Sequence, residues 1–184
     1  MTDEARLDAL LDEIRTEFAG FRLVPKERSP LQRAIDRALR VVTFGAQRSY
    51  LDAYVTTIGR TVYVNRGWEE RSAADRYVTL RHERVHLRQF RRLGLLPMAL
   101  LYLLVPFPLG LAWFRAHFER EAYAEGLRAM RETYGPGYVA RPEVREHVLA
   151  QFTGPSYGWM WPFRRSIERW YDRVTAPVEN DVLG

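Results

Sequence analysis

The chain has 184 residues, 47% of them hydrophobic, no cysteine and a formal net charge of +5. This excludes a disulfide framework, a thiolate ligand and a cysteine nucleophile, and supplies enough apolar material for one domain, 1–184, with its own core. The positive charge comes from arginine with a single lysine, Lys26, and Asp and Glu are interspersed, so no basic stripe marks a specific nucleic-acid partner.

In chain order, Leu7, Leu10, Leu11, Ile14 and Phe18 form one apolar helical face. The acidic start, with Asp3, Glu4, Asp8 and Asp12, lacks the basic-then-apolar order of a secretory signal, so a cytoplasmic location is expected. Ser29-Pro30 opens a second helix carrying Leu31, Ile35, Leu39 and Val42 and closing near Gly45. These helices, within residues 1–45, are expected to shield a sheet or the helix that follows it. Ala53–Ile58 and Thr61–Val64 are β-branched and aromatic runs joined through Gly59-Arg60, a hairpin signal.

Ser72, with Asp75 three residues on, opens a run without Gly or Pro from Ala73 to Leu93, closed by Gly94 and Pro97. Its middle reads His82-Glu83-Arg84-Val85-His86. On a helix, positions i and i+4 lie one above the other, so His82 and His86 can offer two imidazole nitrogens to one tetrahedral Zn²⁺ with Glu83 beside it. Arg76, Arg84, Arg88, Arg91 and Arg92 fall on other faces of the helix.

Leu93–Phe114 then carries no charge over 22 residues, bracketed by Arg92 and Arg115. Its length would suit a bilayer, but Pro97, Pro106 and Pro108 interrupt it. A straight crossing would also carry the chain about 30 Å from the histidines. The expectation is a buried helix over Leu95–Val105, reversed by Pro106–Gly110. The alternative is a peripheral membrane contact through 93–114.

A catalytic zinc site usually has three protein ligands plus water. The next candidate donors lie in Phe118-Glu-Arg-Glu-Ala-Tyr-Ala-Glu125, a carboxylate-rich helical segment. H-E-x-x-H followed by a distant helix bearing Glu resembles the gluzincin metallopeptidases. Across about 50–130 the resemblance implies a metal-site core in a mostly helical, zincin-like α+β domain, with a small antiparallel hairpin or sheet preceding the metal helix. Glu119-Arg-Glu-Ala122 is similar to the E-x-x-A pattern of several zincin families, with Tyr123 where many have Asp or Asn. Glu121 followed by Glu125 is similar to a ligand glutamate with a supporting carboxylate, so Glu121 is the alternate ligand. The helical stripe Ala112, Ala116, Glu119, Ala122, Tyr123 and Gly126 is mostly small and suits close packing, which favours Glu119. Gln89 makes the motif H-E-x-x-H-x-x-Q, which resembles small bacterial zincin-like proteins of uncharacterised role.

The last third, 140–184, reads as a helical, aromatic-rich cap. Pro142 begins a helix with Val144, Val148 and Phe152, and Tyr157–Phe163 leads into another with Ile167, Trp170, Tyr171 and Val174. The expected activity is zinc-dependent hydrolysis of peptide or protein amide bonds, with Glu83 as general base. Tyr123, His117, Tyr134, Tyr138, His147 and Tyr157 are candidate donors to an oxyanion. The competing expectation is a non-catalytic zincin-like protein whose metal or core serves folding or partner binding, or one that associates with membranes through 93–114.

Overall fold

A computed structural model of the chain describes residues 1–42, 50–101, 112–154 and 160–176. It is a mostly helical α+β structure divided into two compact units, 1–98 and 99–184.

In the first unit, α1 (Asp3–Glu17) is capped by Thr2, whose hydroxyl accepts from the Ala5 amide. After β1 (Arg22–Pro25) and a 3₁₀ turn at Lys26–Arg28 come α2 (Pro30–Val42), α3 (Tyr50–Ala53), β2 (Thr56–Ile58) and β3 (Thr61–Val64). The expected hairpin is present, with Thr57 opposite Val62. Gly59 opens its two-residue turn at φ 60°, where a side chain would be strained. The first strand is shorter than its sequence suggests, because Ala53 closes α3 instead.

The sheet is three-stranded and mixed, in the order β1-β3-β2, with β1 parallel to β3 and β2 at an edge. Sequence reading missed β1. Four residues ending in proline carry little local signal, and this strand forms through its non-local pairing of Leu23 with Val62.

The metal-motif helix, α4 (Ala73–Leu93), has the span read from the sequence. Ser72 Oγ accepts from the Asp75 amide at 3.1 Å, and Gly94 terminates the helix at φ 82°. The apolar face of α1, through Leu7, Leu10, Ile14 and Phe18, shares one core with Val62, Val64, Trp68, Leu80 and Leu87. Truncating a fully buried leucine here, such as Leu80, costs about 2–5 kcal/mol. Outside that core, Glu17 on α1 accepts from Arg84 at 2.7 Å, Arg88 at 2.8 Å and Arg91 at 3.2 Å, so three of the α4 arginines serve its docking.

α2 departs from expectation in a different way. Its apolar Leu31 is 49% exposed, while polar Gln32 and Asp36 are buried. The cause is Lys26, the chain's one lysine, which is fully buried beside it and attracted by the Asp36 charge. A buried ammonium needs polar neighbours more than the helix needs its leucine covered.

α5 covers Leu95–Ala99, with Met98 buried but Leu95 and Leu96 exposed, so this part of the expected buried helix is largely at the surface. The rest of that expectation, including Pro106–Gly110, lies outside the described residues, as do Gly45 and Tyr157. Among the described residues no helix is long and apolar enough to cross a membrane.

The second unit contains α6 (Trp113–Tyr134), α7 (Pro142–Thr153) and α8 (Arg164–Thr175). Leu127, Leu149, Phe152, Met160, Ile167, Trp170 and Tyr171 form its core, so these aromatics of the C-terminal segment are core residues. The Tyr171 hydroxyl donates to the Val139 carbonyl at 2.7 Å.

The Glu17 cluster gives a pH signature. Hydrogen bonds from Arg88 and then Arg84 outweigh burial and hold the Glu17 carboxyl at about 2, below its ordinary 4.5. A lowered folded pKa means stability present above pH 4.5 and lost as pH falls toward 2. Glu17→Gln should therefore destabilise by about 1–2 kcal/mol near neutrality. In urea unfolding, the gap from wild type should close between pH 4.5 and 2.

Candidate metal centre

His82, Glu83, His86 and Gln89 occupy consecutive turns of α4, and all but the half-buried His82 are buried. The i,i+4 spacing sets the two imidazoles edge to face, with centroids 5.0 Å apart and Nε2 atoms 3.2 Å apart. On the far side of its ring, His86 Nδ1 lies 2.9 Å from Gln89 Oε1. A carbonyl oxygen can only accept, so Nδ1 carries the proton and the Nε2 lone pair points toward His82. Fixing the tautomer through the remote ring nitrogen is how metal-binding histidines are oriented.

Glu83 is 5% exposed. The Thr57 hydroxyl, on edge strand β2, donates to Glu83 Oε2 at 2.7 Å, which leaves Oε1 clear of that bond. Beneath lies Lys26, whose ammonium donates to the Tyr50 carbonyl at 3.0 Å and sits 3.7 Å from the centre of the Tyr50 ring. The Tyr50 hydroxyl in turn donates to Gln32 Oε1 at 2.6 Å. Burial pushes the Lys26 ammonium down to about 8, against the attraction of the Glu83 and Asp36 carboxylates.

On α6, Glu119 is 3% exposed and shares its stripe with buried Ala116, Ala122 and Gly126. Glu121 lies on a different face, half-exposed, with Oε1 3.4 Å from His117 Nε2. His82 and His86, both in the first unit, present two imidazole nitrogens able to share one metal ion. The donor set fits zinc. Two nitrogens about 2.0–2.1 Å from one tetrahedral ion stand roughly 3.3 Å apart, close to the observed 3.2 Å.

Of the candidate oxyanion donors, Tyr123 packs against Phe152 in the core of the second unit, with centroids 5.3 Å apart. His117 and His147 are exposed, and Tyr134 packs against Tyr138 with ring centroids 4.5 Å apart and planes tilted by 35°. Sequence reasoning gave no role to Thr57, Lys26 or Gln89. Only Gln89 had a legible signal, its i+3 spacing from His86 on the same helix. No family model, curated protein or solved structure matches the chain.

The buried lysine makes the alkaline stability of the first unit distinctive. With a folded pKa near 8 and an ordinary value of 10.5, Lys26 loses its proton in the folded chain before it does in the unfolded one. The unfolded state then binds more protons, so this residue makes stability rise with pH between 8 and 10.5. Tyr50, which burial pushes above its ordinary 10.0, opposes this only at higher pH. Denaturant midpoints measured at pH 8 and pH 10 should show that rise, and Lys26→Met should remove it.

Proposed function

We propose that the protein is a zinc-dependent hydrolase, a metallopeptidase that cleaves peptide or protein amide bonds, with His82, His86 and Glu119 as the metal ligands. The observation that carries this reading is the pair of imidazoles with Nε2 atoms 3.2 Å apart, the remote nitrogen of one held by Gln89, next to a buried carboxylate, Glu83, that is not among the ligands. Glu119, a buried carboxylate of the second unit, completes the ligand set in this reading. A purely structural zinc site is generally closed by four protein ligands and needs no such neighbour. Bound there, Zn²⁺ would polarise a substrate carbonyl and lower the pKa of a ligated water toward about 7.

The chain's own groups have distinct tasks in this reading. Gln89 holds His86 in the tautomer that presents Nε2. Glu83 Oε1 takes the proton of the attacking water and returns it to the leaving amine. The Thr57 hydroxyl, bonded to Oε2, keeps that carboxylate from rotating. β2 carries Thr57 and is an edge strand packed against α4, so an extended peptide can pair with it through main-chain hydrogen bonds.

Metal content and turnover test the proposal separately. Purified protein should hold one zinc per chain after dialysis, by elemental analysis, and His82→Ala or His86→Ala should abolish it. Glu119→Gln should weaken zinc binding roughly 10–100-fold or more, whereas Glu121→Gln should leave it near wild type. Glu83→Gln should retain zinc while cutting the cleavage rate of a denatured-protein or peptide-library substrate by roughly 10²–10⁴-fold. Full zinc with near wild-type cleavage in Glu83→Gln would favour a different base, and zinc retained in both histidine variants would overturn the site.

A further inference from the structure

The second unit has an open cleft of about 380 Å³ between α6 and α8, lined by His117, Arg120, Glu121, Ala124, Arg128 and Trp170. That volume suits a small organic molecule. The cleft's α6 residues lie on a different face of the helix from Glu119, so they take no part in the metal chemistry proposed above.

Arg120 sets the chemistry of the cleft. Three other arginines of the unit have carboxylate partners: Arg128 pairs with Glu125 at 3.2 Å, Arg145 with Asp172 at 3.3 Å, and Arg164 with Glu146 at 2.7 Å. Among the described residues Arg120 has none. Nη2 donates to the Ser166 hydroxyl at 3.2 Å, the guanidinium lies 5.5 Å from the centre of the Trp161 ring, and Nε is buried without an acceptor. Partial burial and repulsion from Arg173 both disfavour its charge. Glu121, one residue along, is turned toward His117 instead. A half-buried planar cation without its counter-ion, at the wall of a cleft, calls for an oxyanion from outside. Glu121 in the same lining argues against a dianion such as phosphate, and Ala124 with Trp170 offers an apolar surface to an organic body.

We propose that this cleft binds the carboxylate of a small organic acid or of a peptide C-terminus, with Arg120 as its anchor. Calorimetric titration of the full chain with phenylacetate, with a hexapeptide ending in phenylalanine, and with its C-terminal amide tests this. Binding of phenylacetate or the free-acid peptide with Kd of about 1–10 mM is expected, with the amide at least about tenfold weaker than the acid. Tighter binding of the peptide acid than of phenylacetate would identify a chain terminus as the source, and the reverse order a free acid.

Arg120→Gln should weaken binding by at least about tenfold, while Arg145→Gln, on a paired surface arginine, should leave it unchanged. Glu121→Gln, which removes the like charge, should tighten it, and this variant decides the matter if Arg120→Gln fails to fold. No heat from any carboxylate up to saturating concentration, equal binding of acid and amide, or inorganic phosphate binding more tightly than phenylacetate would each overturn the proposal. Run in the His82→Ala background, which lacks the proposed metal site, these titrations carry no heat from carboxylate or peptide bound at zinc, so the result stands apart from the fate of that site.

Discussion

Burial of a polar stripe on α4 is the constraint from which much of the first unit follows. Glu83, His86 and Gln89 are all buried on a helix that also sends Leu80 and Leu87 into the apolar core. A buried carboxylate or imidazole without a partner costs on the order of several kcal/mol, so each must be answered from nearby. Gln89 answers His86 within the helix, and Thr57 answers Glu83 from the edge of the sheet. The Glu83 charge then stabilises an ammonium below it, and Lys26 supplies one. Lys26 in turn draws in the Tyr50 carbonyl and ring and the Asp36 charge, and Tyr50 reaches Gln32. The inversion of α2, with polar side chains inward and Leu31 outward, is the far end of that sequence of compensations.

This explains what was legible in the sequence and what was not. α4 and its cap are local events: Ser72, Asp75, the absence of helix breakers and Gly94 fix them without reference to the rest of the chain. The β2–β3 hairpin is local too, set by Gly59-Arg60. β1 exists only because β3 offers it a parallel edge, and α2 takes its orientation from a cation four residues before its first turn. Neither appears in hydrophobic periodicity, which assumes that apolar side chains face inward. In the sequence Arg84, Arg88 and Arg91 show only that they fall on other faces of the helix than the histidines, yet they converge on Glu17, a partner more than sixty residues away.

The same division runs through the candidate site. His82, Glu83 and His86 are an i, i+1, i+4 pattern, readable from five letters. The contrast between Glu119 and Glu121 could also be read in part, because a helix face lined by Ala116, Ala122 and Gly126 packs closely and one carrying His117 and Glu125 does not. Thr57 is different in kind. Its inward orientation follows from strand alternation, but its bond to Glu83 depends on how β2 lies across α4, which no short-range pattern encodes.

The distribution of cations carries the final point. With one lysine against 27 arginines, the chain places its lysine where the side chain is fully buried. An arginine could not take that position without a permanent charge and a wider donor fork to satisfy, whereas an amine can neutralise as its surroundings demand. At the other extreme, Arg120 is half-buried with a hydroxyl as its hydrogen-bond acceptor, and it cannot shed its proton at any ordinary pH. The adaptable cation lies in the field of two carboxylates of its own chain, and the unadaptable one faces a cleft. An internal countercharge can be tuned by protonation when the cation is lysine, but an arginine in the same need must find its anion in space.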